Sequence, residues 1–122
     1  MICQEFCYVA TSGDKLYYTH CLTHIVTCCD SHGTTQWAFN YRQVLQGPRG
    51  ISVDNDGNLY VVGHWSNNLV VISPDGQRYR QLLSSTDGLV NPFVLDYDKS
   101  TIRLLVFSEA RTAFLFDVTR KA

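Results

Sequence analysis

The chain has 122 residues, 45% of them hydrophobic, which is the size and composition of one globular domain with its own core. Ten Lys and Arg nearly balance eleven Asp and Glu, so no overall charge attracts nucleic acid or an anionic membrane. This balance does not exclude a local basic patch. Apolar runs are shorter than the roughly 20 residues that span a bilayer, and the first residues lack the pattern of a signal peptide. We therefore expect a cytoplasmic protein without a membrane partner.

The first segment with unusual composition is HCLTHIVTCCDSH, which runs from His20 to His32. It spaces His20, His24, Cys28 and His32 four apart, and on a helix these side chains would line one face and suit zinc. The β-branched run 25–27 favours a strand instead, where residues four apart are separated by roughly 13 Å. We expect a strand and a polar turn, with no metal or cofactor.

The odd count of five Cys favours reduced thiols over a disulfide framework.

The stretch GISVDNDGNLYVV, Gly50 to Val62, resembles a calcium loop between two strands. With Gly57 in the glycine position of such a loop, Ser52 and Gly63 would occupy the places of its first and last carboxylates. Apolar residues alternate before the loop and run continuously after it, and DNDGN is a typical tight turn. The segment predicts a β-hairpin.

The same hairpin recurs along the chain. A forward shift of 44 positions superposes the second copy on the third without a gap, and a backward shift of 44 superposes it on the first, with one extra residue before Gly33. The matching pairs include Pro48 with Pro92, Asp54 with Asp98, Tyr60 with Leu104, Val62 with Val106, Gly57 with Gly13 and His64 with His20. The chain therefore contains three copies of one unit.

The second copy predicts four strands, near 50–54, 58–63, 68–73 and 78–83. Four short antiparallel strands every 40 to 45 residues are typical of a propeller blade. We predict an all-β fold, a partial β-propeller of about three four-stranded antiparallel blades near 5–40, 48–84 and 92–119, in one domain spanning 1–122. A single β-sandwich is the alternative, but it does not explain the 44-residue recurrence.

The second copy resembles the NHL repeat. The pattern is carried by GPRGISVDNDGNLYVVGHWSNNLVVISPDGQ, in which the matching positions are Pro48, Gly50, Ile51, Val53, Asp54, Gly57, Leu59, Tyr60, Val61, Asn67, Asn68, Val70, Asp75 and Gly76. The third copy keeps Pro92 and Asp98 but has KSTIR at the turn, and the first keeps little beyond GDKLYY and its buried strand. The resemblance thus covers most of the chain with falling strength.

This resemblance implies a closed ring of about six blades. The third copy supplies three strands and then the chain stops, so we expect the C-terminal half of a longer propeller or a truncated product. Terminal blades of an open stack expose apolar faces that neighbours normally cover. We therefore expect self-association, either as a homodimer that closes six blades or as aggregation.

No catalytic set is recognisable, and no Gly-x-Ser-x-Gly elbow is present. NHL propellers commonly end tripartite-motif proteins, where they choose the substrate of a ubiquitin ligase or bind RNA. The resemblance therefore implies a non-catalytic module that recognises a protein partner, and without a RING or B-box pattern this chain alone is expected to have no enzyme activity. The alternatives are RNA binding through Arg42, Arg49, Arg78 and Arg80, and one half of a metal-dependent lactonase-like enzyme.

The candidate binding residues lie in loops that a propeller opens on one face. Trp65 is the leading contact, because exposed aromatic and Arg side chains on a rigid face often dominate interfaces, although it could also pack on its own blade. The Asn residues are also typical turn formers. The candidate set consists of His20, Arg42, Arg49, His64, Trp65, Asn67, Asn68, Glu109 and Arg111.

Overall fold

The computed structural model describes residues 8–109 and 113–118, and over this part the chain is all-β. The strands are β1 (Val9–Ser12), β2 (Lys15–His20), β3 (Ile25–Cys29), β4 (Thr35–Phe39), β5 (Pro48–Val53), β6 (Leu59–Gly63), β7 (Asn68–Ile72), β8 (Tyr79–Leu83), β9 (Pro92–Asp98), β10 (Arg103–Ser108) and β11 (Ala113–Asp117). Two single-turn 3-10 helices, Cys21–Thr23 and Ser85–Asp87, lie in loops. None of the helices in the described part is long and apolar enough to cross a membrane.

The strands form three antiparallel meanders in chain order. The first sheet contains β1 to β4, the second β5 to β8, and the third β9 to β11 among the described residues. The four strands predicted in the second copy and the strand predicted at 25–27 are confirmed, as is the partial propeller of three blades. The ends of the predicted blades at 5–7 and 119 lie outside the described residues.

The sheets stack face to face, with β5 packed against both β1 and β9. One apolar core lies between the first and second sheets and a second core between the second and third. Leu59 and Val61 of β6 enter the first core, and Tyr60 and Val62 enter the second. The continuous apolar run of β6 is therefore buried on both faces, where each such side chain stabilises the fold by about 1.5–3 kcal/mol.

The gapless superposition of the third copy is wrong by one residue in β10. Val106 pairs with Leu95, whereas Val61 pairs with Ile51, so Val106 corresponds to Val61 and not to Val62. Six residues separate the paired Tyr97 and Leu104, whereas five separate the equivalent pair Val53 and Leu59, so the third copy has one extra residue before Leu104. Ile102 in the β9–β10 turn has a positive φ of 57°, a conformation that branched side chains rarely adopt.

The superposition of the first copy is also wrong by one residue. Tyr17 faces the next sheet and pairs with Cys28, as Tyr60 faces the next sheet and pairs with Val71. Over β2 and β3 the correct shift is 43 positions, which also superposes Gly33 on Gly76 and removes the extra residue. His20 then corresponds to Gly63, so the predicted repeat of His20 and His64 does not exist.

Candidate functional site

Loops from all three sheets meet on one side of the molecule, which we name the loop face. It comprises the β2–β3 loop (21–24), the β4–β5 connection (40–47), the β6–β7 loop (64–67), the β8–β9 connection (84–91) and Glu109 after β10. The His64 N–H donates to Gly47 O (2.9 Å), and the Glu109 N–H approaches Val90 O (3.1 Å) and Asn91 O (3.3 Å). These backbone bonds fix the β6–β7 loop to the β4–β5 connection and Glu109 to the β8–β9 connection.

Trp65 lies across the junction between the first two sheets. Its ring meets the His24 ring edge-on, with 5.5 Å between the ring centroids. It also covers Gly47, where a Cβ would stand only 2.7 Å from Trp65 Cδ2. Trp65 as a whole is nevertheless 44% exposed to solvent. The two interpretations of Trp65 are thus compatible, because one part of the residue packs on the junction and the rest faces solvent.

His64 is buried between the second and third sheets and contacts Glu109. Its Nδ1 lies 3.1 Å from Pro92 O, a carbonyl that can only accept, so Nδ1 carries the proton. Its Nε2 lies 3.4 Å from Glu109 Oε2, and the Glu109 side chain is 56% exposed. The structure therefore brings these two candidate residues together, and Glu109 presents negative charge to solvent.

Asn67 and Asn68 direct their amides into the protein. Asn68 is buried, and its Nδ2 donates to Val44 O (2.6 Å) and Gln81 Oε1 (2.9 Å). Asn67 has a φ of 55° and accepts a hydrogen bond from the Asn91 N–H (2.8 Å). Both side chains shape the loops, and a direct contact of either with a partner stays a prediction.

The remaining candidates are dispersed. His20 ends β2, with its Nδ1 2.7 Å from Thr23 Oγ1, and Arg42 is exposed in the β4–β5 connection. Arg49 is half-buried on β5, where its carbonyl accepts from Thr19 Oγ1 (2.9 Å). Arg111 lies outside the described residues. Binding roles for these side chains stay predictions.

The basic residues proposed for RNA binding do not lie on one strand or loop. Arg49 is on β5, at one edge of the second sheet, whereas Arg78 and Arg80 flank or lie on β8, at the other edge. Two strands separate them, and Arg42 is in a connection. In residues 8–109 and 113–118, no three His, Cys, Asp or Glu side chains are placed to hold one metal ion.

His24 is a site residue that the sequence did not reveal as such. Its φ is 64°, and its Nδ1 accepts a hydrogen bond from the Gly47 N–H (3.0 Å). Burial, and secondly the positive charge of Arg42, lowers the pKa of His24 below its ordinary 6.5. The correct shift of 43 positions would have found it, because it superposes His24 on Asn67.

No family model and no curated protein sequence matches the chain. Among solved structures it is similar to a catalytically inactive virginiamycin B lyase from Staphylococcus aureus with quinupristin, at 13% identity and a TM-score of 0.65 over 92% of this chain and 41% of that one. The fold is that of a β-propeller. A streptogramin B lyase (15%, TM-score 0.63, 94% of this chain and 41% of that one) and a nidogen/laminin complex chain (23%, 0.65, 84% and 38%) are also similar.

The propeller chain spans about two fifths of the length of these structures. At such identities the similarity shows the fold alone. The finer assignment to the NHL type stays a prediction that rests on the residues of the second blade.

Proposed function

We propose that this propeller chain is a non-catalytic interaction module that binds a protein partner through the loop face. The observation that carries the proposal is Trp65, which is 44% exposed yet held against His24 and Gly47. A large aromatic side chain that is already ordered loses little conformational entropy on binding, and Trp is enriched among interface hot spots. Exposed Glu109 adds a charge that selects a complementary partner surface.

The nidogen/laminin complex, a propeller-containing chain in a protein complex, supports protein binding in general terms. The NHL pattern of the second blade supports the finer proposal that the chain recognises substrates for a tripartite-motif-like ubiquitin ligase. Cys28 and Cys29 are buried and form no disulfide within the described part of the chain, which supports a reducing, cytoplasmic setting. RNA binding is less favoured because Arg49 and Arg80 lie on opposite edges of one sheet.

The binding proposal is tested by comparing Trp65→Ala with Tyr79→Ala. Tyr79 is the matched control, since it is an aromatic residue of similar exposure (43%) on the outer strand β8. Each immobilised chain is incubated with cytosolic extract, with and without nuclease treatment, and retained proteins are quantified by mass spectrometry. We expect at least one protein to bind the wild type and Tyr79→Ala and to be lost roughly 30-fold with Trp65→Ala, the effect of a 2 kcal/mol hot spot.

Retention that does not depend on Trp65 would contradict binding through the loop face, and a retained set that disappears only on nuclease treatment would favour RNA. The ligase assignment has a separate test in the transcript upstream of Met1. A RING and a B-box in the same reading frame would support it, and a lactonase-like N-terminal half would refute it.

A further inference from the structure

The two inter-sheet junctions on the loop face are built in the same way. In each, a loop residue with positive φ accepts a hydrogen bond from the backbone N–H of a second residue with positive φ. This second residue directly precedes the first strand of the next sheet. In the first junction His24 Nδ1 accepts from Gly47 (3.0 Å), and in the second Asn67 Oδ1 accepts from Asn91 (2.8 Å). The shift of 43 positions that superposes β2 and β3 on β6 and β7 also superposes His24 on Asn67.

The two acceptors respond differently to protons. The amide oxygen of Asn67 accepts a hydrogen bond at any ordinary pH. The Nδ1 of His24 accepts only while the ring is neutral with its proton on Nε2. Protonation turns Nδ1 into a donor that faces another donor, the Gly47 N–H, so this hydrogen bond cannot survive.

Arg42 is the charged side chain that acts on His24, and further titratable side chains lie on the neighbouring elements. Arg42 of the β4–β5 connection disfavours the charged ring, and partial burial acts in the same direction. His20 belongs to the strand that leads into the same loop. The β6–β7 loop brings His64 with its partner Glu109, next to Trp65. The neutral ring is therefore the form that the folded junction holds.

Opening of the first junction would act on Trp65 directly. Trp65 packs on the two residues that form the hydrogen bond, His24 and Gly47. The acceptor of the second junction is the amide oxygen of Asn67, which does not titrate, so its hydrogen bond with the Asn91 N–H should persist in acid.

We propose that the loop face is proton-sensitive, because protonated His24 opens the first junction and releases Trp65 while the Asn67 junction stays closed. The expected loss of partner binding in acid rests on the proposed function. The opening itself does not, and it is measured without a partner, so the failure of one can be told from the failure of the other.

The test follows the chain by NMR between pH 8 and acid. We expect the His24 ring to titrate with a midpoint below 6.5, and the Gly47 amide signal to move with the same midpoint. Hydrogen-exchange protection of Gly47, corrected for intrinsic pH dependence, should fall at least tenfold across that midpoint, while Asn91 keeps its protection. A Gly47 amide that ignores the His24 titration would overturn the proposal.

Two reciprocal variants complete the test. His24→Asn should keep the junction, since Asn readily adopts positive φ and supplies an acceptor, and should abolish the acid response of Gly47. Asn67→His should make the amide signal and the exchange protection of Asn91 sensitive to acid. This variant tests the mechanism by itself if His24→Asn does not fold. A Gly47 response that persists in His24→Asn, or an Asn91 amide that stays insensitive in Asn67→His, would refute the mechanism.

Discussion

Gly47 combines a positive φ of 60° with the close cover of the Trp65 ring, and glycine is the residue type that satisfies both. Gly47→Ala should therefore add a steric collision to the ordinary strain of a side chain at positive φ, which is about 1–2 kcal/mol. We expect a loss of roughly 2–4 kcal/mol in the free energy of unfolding, measured by urea denaturation.

The matched control for this prediction is Gly13→Ala. Gly13 has a φ of 61°, and a Cβ there would meet no atom within 4 Å, so this variant should show the strain alone. If the two variants lose equal stability, Trp65 does not pack on Gly47 in solution.

Tyr60 is a buried residue whose hydroxyl group is hydrogen-bonded. Its hydroxyl donates to Asp54 Oδ2 (2.9 Å), and the same carboxylate accepts from the backbone N–H groups of Asp56 (2.8 Å) and Asn58 (2.9 Å). The predicted hairpin turn is thus organised by Asp54, with protein donors around its carboxylate. Tyr60→Phe should lower the free energy of unfolding by about 1–2 kcal/mol at pH 7.

The same pair predicts a dependence on alkaline pH. Burial, and then the hydrogen bond to Asp54, raises the pKa of Tyr60 above its ordinary 10.0. The folded chain keeps this proton while the unfolded chain loses it, so the contribution is complete below pH 10 and is lost as the pH rises further. Unfolding curves should therefore show wild type and Tyr60→Phe converging above pH 10; a constant difference would contradict this.

At the scale of strands and sheets, the sequence was sufficient to predict the blade and its strand order, but not the register between copies. β6 is apolar at every position from Leu59 to Val62, because both of its faces are buried. Such a strand has no alternation of polar and apolar residues, so a shift of one position leaves its pattern almost unchanged. Turn length decides the register, and the extra residue before β10 is visible only in the pairing.

Only part of the candidate site could be predicted from the sequence, because the register between the copies was wrong. The common location of His64, Trp65 and Glu109 on the loop face was predicted because a propeller opens their loops on one side, and their binding roles stay predictions. His24 was assigned to a strand segment and a rejected zinc pattern, since its equivalence to Asn67 depends on the correct register. Its acceptor role also depends on Gly47, a contact between residues 23 positions apart that no local pattern records.

Trp37 links the outer strand of the first sheet to the second sheet. Its Nε1 donates to Pro74 O (2.9 Å), and its ring covers Gly76 in the β7–β8 turn. Trp37→Phe keeps an aromatic ring over Gly76 but removes the donor, so we expect a loss of about 0.5–1.5 kcal/mol. Trp37→Ala, which also removes the ring, should cost clearly more in the same urea denaturation series. Equal losses would mean that the ring does not pack on the turn.

For the whole molecule, the outward faces of the first and third sheets decide the state in solution. Leu115 is 61% exposed and Phe107 43% on the third sheet, and Val9 is 63% exposed on the first. Their strand neighbours Phe116, Val106 and Ala10 belong to or pack against the buried cores, so these side chains point away from them. Apolar groups in this position favour self-association.

We expect light scattering after size exclusion to give twice the chain mass, with concentration-dependent dissociation, if two copies close a six-bladed ring. Such a ring places the third sheet of each copy against the first sheet of the other, so Leu115→Lys and Val9→Lys should each restore the monomer. Trp65→Lys is the control, because it charges the loop face and should leave the mass unchanged. A monomer at every concentration would exclude the ring, and loss of association with only one of the two outward-face variants would indicate an open contact instead.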